Sequence, residues 1–549
     1  MPLGCYAGLE GRADGGDAGS ATATDSESAT AQGSSTGDDG GVDAEYEPAP
    51  VRLRLLLARQ YVRSVRDLLG DAAAEVVTPP ADVAINGFDA VGAAQLSLTD
   101  TKVDAFEASA RAASAAADPL KLALHYACVP SGPGDEPCLR EFVAGFGRLA
   151  FRRALIAEEL DSYTAVGLAA ATDLGDFDIG VRTAVAALLQ SPNFLYQVEV
   201  GEADDAAGHR RLTGLEMATR VSFFLRDSTP DAALLDLAEA GGLDDADGIR
   251  EAAWLVVDST DARVALGDFA AELYRLRELE TVPKDPTVFP TFTPELAAAM
   301  GTETRALVGH LAFDADGDFR ELFDADYTFV DAQLAAHYGL PNPEQYGATF
   351  TQVVLPPEQQ RGGVFGHAGL LSVLGHVTTT SPTYRGKFIR QQVLCQDIPA
   401  PPVGVDTTLP PAAEYQTMRE RLEAHVSDPS CAACHVFMDP LGLGLENYDG
   451  IGAFRTTENG ATIDASADVD GQPFTGAQQL GAILKENPEA TACLVRNLFR
   501  HATGHIELPS EMVEIDQLVA AFADGDHRMR AFLVELVASP AFRLVADPD

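Results

Sequence analysis

The sequence predicts a mostly α-helical protein, laid out as a multi-module helical array. Three observations carry this expectation. Apolar residues recur three and four apart, as in Leu53, Leu56, Leu57, Tyr61, Val65, Leu68 and Leu69, which is helical periodicity. Such runs carry helix punctuation: Gly70 closes the first, and Thr213 with Glu216 three residues later forms a capping-box pattern. The length, 549 residues, fits several units of roughly 100–200 residues or one large helical array.

In chain order, helices are expected over 51–70, over an Ala-rich stretch at 99–117, and over 138–153, which has a basic end at Arg148, Arg152 and Arg153. A helix over 180–190 runs into Ser191-Pro192-Asn193-Phe194, and further helices follow at 213–226, 230–240, 245–258, 260–276, 294–312 and 330–337. Between 340 and 410 the chain is looser, with Pro and Thr clusters, and Ile398 to Val403 reads as an extended linker. A charged helix over 416–427 leads into a second helix, which Asp439-Pro440 is expected to break. The last long helices are 486–502 and 511–540. The expected modules are therefore 51–117, 118–180, 181–325, 326–475 and 476–549, behind a segment 1–50 of different character.

That first segment is mostly Gly, Ser, Ala, Thr, Asp and Glu, and cannot bury enough apolar surface to offset its ordering entropy. It reads as a disordered tether. Leu3-Gly4-Cys5 looks like the tail of a bacterial lipoprotein signal, with Cys5 as the lipidation site, although the apolar stretch that should precede it is missing. A start codon further upstream would account for that; otherwise Cys5 is incidental. The formal charge of −45 argues against a nucleic-acid binder, because phosphate contacts need concentrated positive charge. No apolar run approaches the ~20 residues needed to span a bilayer, so no transmembrane span is expected.

Seven cysteines remain to be placed. Cys128 and Cys138 flank a Pro/Gly-rich loop and suit a small disulfide. Cys395 and Cys493 either pair or lie buried as small hydrophobes. With Cys5 lipidated, no odd thiol is left, as an oxidising compartment requires, so an extracytoplasmic location is expected: the periplasm or the cell surface.

Cys431 and Cys434 belong to Cys-Ala-Ala-Cys-His435. This spacing suits one covalent haem c, in which the two thiols reach the vinyl groups of a porphyrin and His435 projects its imidazole to the iron as proximal ligand. A thioredoxin-like site would need a βαβ context, and a zinc site two more ligands nearby. For the second axial position the candidates are His425, His376, His367, Met418, His501 and His505, of which His376 and His425 are preferred, beside an open iron. Met438 sits three residues after His435 on the same helix face and cannot reach the opposite face of the porphyrin. Asp439, Glu446, Asp449 and Arg455 pair with one another or with the propionates; Arg455 is the preferred propionate partner, because its fork of donors matches a carboxylate. A salt bridge fixing the loop is the alternative for Arg455. Asp314-Ala-Asp-Gly-Asp318 lacks the spacing of a calcium loop.

The residues from Cys431 to Gly442, with Leu445 to Asp449, Gly452 to Arg455, Ile463 to Ser466 and Asp470-Gly471, resemble the exported proteins of planctomycete cytochrome c type, a serial run of domains of unknown function. Arg361 to Gly363, Thr380 to Pro382, Arg385 to Lys387, Leu188 to Tyr196, Tyr327 to Phe329, His337 to Gly339 and Val65 to Gly70 are similar to the same family, so the resemblance covers roughly residues 51–545. It implies an exported, mostly helical protein with a haem-attachment motif. The segment around His501 and His505 departs from the family, where Tyr and Arg are usual, and this argues against those two as haem ligands.

Two function classes follow. One is a haem c protein for electron transfer or haem redox chemistry, working with a redox partner protein. The other is a non-redox helical surface lipoprotein scaffold in which the CxxC forms a disulfide.

Overall fold

The computed structural model describes residues 46–95, 97–204, 208–399, 409–410, 414–426 and 429–547. Cys5, most of the expected tether and most of the Pro-rich run after Ile398 lie outside the described residues. About 60% of the chain is helical, and the sheets are small, with two or three strands each. The mostly α-helical expectation therefore holds.

Many helices begin where a side chain can accept from an otherwise unpaired backbone N–H. Thr213 and Glu216 form the reciprocal pair that starts the helix Gly214–Arg226. Asp135, Asp231, Asp245, Ser259 and Thr293 cap five others in the same manner.

Four local expectations change. The first helix spans Ala58–Leu69, and Arg54–Leu55 instead form a strand antiparallel to Tyr196–Gln197. The pairing partner lies some 140 residues away, so no local pattern announces it. Residues 46–50, expected to end the tether, are packed: the Ala49 carbonyl accepts from Ala546 N–H, which brings the two ends of the folded body together. The single helix expected over 511–540 is two, Met512–Asp524 and Met529–Ala538, separated where Asp526 and His527 adopt positive φ. A helix over Ala157–Leu174 was not marked by the apolar pattern.

Packing gathers the expected modules into two large cores. The first is built around Tyr61, Phe106, Phe142, Phe146, Val185 and Phe194, so the helix Phe177–Leu189 packs with residues before it rather than opening the next unit. The second is built mostly from residues between Leu212 and Val545, spans the last three expected modules and takes in Phe88 and Val91 from the first. Short helices expose too much apolar surface to stand alone, and sharing a core removes it from water. Between the cores lies a buried ionic seam. Arg59 bonds Asp227 and Glu272, and Arg63 bonds Asp227 and Asp268. The carboxylates of Asp314, Asp316 and Asp318 pair with Arg263, Arg530 and Arg320, so this stretch forms ion pairs within the fold.

A candidate haem-attachment site

The site is carried by the helix Pro429–Leu443, which holds Cys431, Cys434 and His435 within two turns. Contrary to the sequence expectation, the helix does not stop at Asp439-Pro440. Packing holds its far end: Leu441 is fully buried, and Gly442 lies so close to the Pro382 carbonyl that an added Cβ would stand 1.9 Å from its oxygen. On the facing helix Pro382–Phe388, Gly386 is equally tight against the Met438 carbonyl, at 1.7 Å. Two glycines thus let two backbones touch, and Met438 is buried in that contact.

This close approach sets the surroundings of His435. Its Nδ1 lies 2.9 Å from Asp439 Oδ2, one turn further along the same helix. Asp439 is buried, and its other oxygen accepts from Thr383 Oγ1 at 2.8 Å, across the helix contact. A carboxylate accepts, so Nδ1 donates this hydrogen bond and Nε2 is the ring nitrogen left for a metal. Metal-binding histidines are commonly held in this way, with one ring nitrogen bonded to a carboxylate and the other turned to the metal. The donor set therefore fits an iron-bound imidazole.

Cys434 is a free thiol and lines a cleft of ≈ 790 Å³, within the range of sites for large organic cofactors. Phe437 lines the same cleft, one turn on, and is 57% exposed; its neighbour Val436 is 63% exposed. Large apolar side chains this exposed beside a cleft mark a surface suited to an apolar partner or ligand. Arg390 forms the cationic wall: its Nε donates to the Phe437 carbonyl, and its outer nitrogens reach Gln396 and Asp470. Opposite stand Ile483 and Glu489, from beyond the motif's own segment.

The other residues named from the sequence fall as follows. The His425 ring packs edge-on against that of His435, with centroids 5.0 Å apart. His376 packs on Tyr384, 5.1 Å between centroids, and burial together with Lys284 and Arg421 lowers its pKa, keeping it neutral. Arg455 is engaged by Glu446 and Glu458. Glu446 also bonds Arg385, whose guanidinium donates to the carbonyls of Leu445, Tyr448 and Asp449 and so shapes the turn after the helix. Asp449 closes that turn by accepting from Ile451 and Ala453 N–H. His501 and His505 are buried against Glu272 and Glu511, away from this helix. Cys128 is bonded to Cys138 and Cys395 to Cys493, and the second bond anchors the strand of chain that enters the cleft wall at Gln396. Sequence reasoning missed Arg390 and Thr383, which only the fold brings here, and did not join Asp439 to His435, although an i, i+4 spacing on one helix was there to find.

Five family models match the chain in series, each described as a protein of unknown function: DUF1587 at 54–119, DUF1595 at 138–199, DUF1592 at 212–340, DUF1588 at 361–458 and DUF1585 at 470–542. The chain is a serial array of these five domains. They are the repeat families of the planctomycete cytochrome c type. The helix with Cys431, Cys434 and His435 lies in the DUF1588 unit, whose short name, PSCyt3, marks it as cytochrome-like. The cleft is shared: Arg390 and Cys434 come from the DUF1588 unit, Ile483 and Glu489 from the DUF1585 unit. No curated protein and no solved structure matches the chain. Among the described residues no helix is long and apolar enough to cross a membrane.

Proposed function

We propose that the chain binds one c-type haem covalently through Cys431 and Cys434, with His435 as proximal ligand through Nε2, and serves electron transfer or haem redox chemistry outside the cytoplasm. The observation that carries this reading is the hydrogen bond from His435 Nδ1 to a buried carboxylate, within a Cys-Ala-Ala-Cys-His motif. When bound, the haem supplies a one-electron iron couple. The protein's part is to hold one imidazole in a fixed tautomer and to offer a free thiol at a cleft. Phe437 and Val436 supply apolar surface beside it, and Arg455, now paired with Glu446 and Glu458, is the proposed propionate partner. His376 and His425 remain the proposed residues for the second axial position. The two disulfides support an oxidising compartment. A lipid anchor at Cys5 and a redox partner protein belong to the same proposal.

The test is a haem stain and pyridine haemochrome spectrum on the full chain, expressed behind an export signal with a c-type maturation system. Covalent haem is expected in the wild type and absent from the double variant Cys431→Ala, Cys434→Ala. A wild type without haem, beside a control cytochrome that matures, would overturn the reading and favour a helical surface scaffold.

A further inference from the structure

Asp439 does more than hold a ring in place. Backbone carbonyls or waters could fix the tautomer of His435 equally well. Here the acceptor is a carboxylate, buried and 2.9 Å from Nδ1, so the bond is of the charge-assisted kind. The acceptor is itself tuned. Thr383 Oγ1 donates to the second oxygen at 2.8 Å and withdraws part of its charge. The whole chain Thr383–Asp439–His435 depends on the close contact of two helices at Gly386 and Gly442.

From this arrangement we infer that Asp439 is a positioning residue that sets the redox poise of the site, favouring ferric over ferrous iron, and that Thr383 moderates it. The inference rests on the haem reading above. A carboxylate drawing on the Nδ1 hydrogen makes the imidazole a stronger electron donor through Nε2, and a stronger donor stabilises the higher charge on iron. Losing the carboxylate charge must raise the midpoint potential. Losing the threonine hydroxyl leaves the carboxylate with one hydrogen bond fewer, so more of its charge acts on Nδ1–H, which must lower the potential. Opposite signs at two contacting residues distinguish tuning from mere support, because loosening the site from either side would move the potential the same way.

The experiment measures midpoint potentials by spectroelectrochemistry on full-length, matured protein, after a haem stain on each sample. Asp439→Asn is expected to favour the ferrous form by at least about tenfold, or roughly 59 mV for one electron. Thr383→Val is expected to shift the couple the other way, and Asp439→Glu to restore part of the wild-type value. Covalent haem with no shift in Asp439→Asn, or with Asp439→Asn and Thr383→Val moving in the same direction, overturns this inference and leaves the haem reading intact. If Asp439→Asn fails to take up haem, Thr383→Val decides alone: a fall supports the inference, and no change or a rise overturns it. A wild type without haem overturns both.

Discussion

Glu303 is a carboxyl group with no exposed surface, held between the DUF1592 and DUF1588 units. Tyr338 OH donates to both its oxygens, at 2.9 and 2.8 Å, and Thr328 Oγ1 donates to one. His367, equally buried, stands 3.8 Å away and is kept neutral because burial pulls its pKa down to about 3. For Glu303, burial outweighs the hydrogen bonds and Arg361, and pushes the pKa from 4.5 up to about 7. The folded protein therefore holds a proton there that the unfolded chain releases. The stability this contributes is fully present below pH 4.5, declines as pH rises and is gone above about pH 7. At about 1.4 kcal/mol for each unit of pKa, the change across that window is roughly 3 kcal/mol. Glu303→Gln keeps the shape of the protonated acid and cannot ionise. It should leave stability unchanged near pH 4.5 and raise it by up to about 3 kcal/mol near pH 8. Urea unfolding followed by fluorescence suits the measurement, because the chain has one tryptophan, Trp254, and it lies in the same DUF1592 unit. An equal offset between variant and wild type at both pH values would refute the reasoning.

Three further predictions follow from the packing around the candidate site. Gly386→Ala places a methyl group against the Met438 carbonyl and should cost roughly 1–3 kcal/mol or more, seen as a lower thermal midpoint. Removing the Cys395–Cys493 bond frees a sequence separation of 98 residues, so a loss of about 4–5 kcal/mol is expected on chain-entropy grounds; removing Cys128–Cys138, with a separation of 10, should cost less in the same urea titration. Arg385→Lys keeps the charge but loses the fork that gathers three carbonyls, and should destabilise by roughly 2–4 kcal/mol, with faster hydrogen exchange at Tyr448 and Ala453.

What the sequence made legible was local. Helices with an apolar stripe and a capping residue could be read directly, because both signals lie within a few residues of each other. The strand Arg54–Leu55 could not, since its partner at Tyr196–Gln197 enters only through the fold. The break between Asp524 and Met529 had a marker in Gly525, but the apolar period continues past it and masked the turn. Pro440 misled in the opposite direction. A proline removes one helix hydrogen bond, yet the burial of Leu441 and the backbone contact of Gly442 keep the turn helical. At the site, the Cys-Ala-Ala-Cys-His motif and the i, i+4 pair His435–Asp439 lie in one short run. Thr383, Arg390 and the DUF1585 side of the cleft are tens of residues from the motif, and nothing in their own neighbourhoods announces them.

The same distinction explains why the motif sits inside a long array rather than in a small cytochrome-sized unit. The helix Pro429–Leu443 supplies the candidate ligand residues and Asp439, but the groups that hold Asp439 and close the cleft come from elsewhere. Thr383 comes from the facing helix, and the far cleft wall from the DUF1585 unit. The Cys395–Cys493 bond ties these two units beside that wall. On the other side, Arg361 of the DUF1588 unit lies between the rings of Tyr338 and Tyr448, at 4.1 and 4.7 Å, and the Tyr338 hydroxyl accepts from Ala368 N–H while donating to Glu303. A fully buried guanidinium and carboxyl so placed are costly unless each partner is present, which makes the DUF1592 and DUF1588 units interdependent. Precision at His435 is therefore a property of the array: the units on either side supply the rigidity that a short helix with a proline near its end lacks.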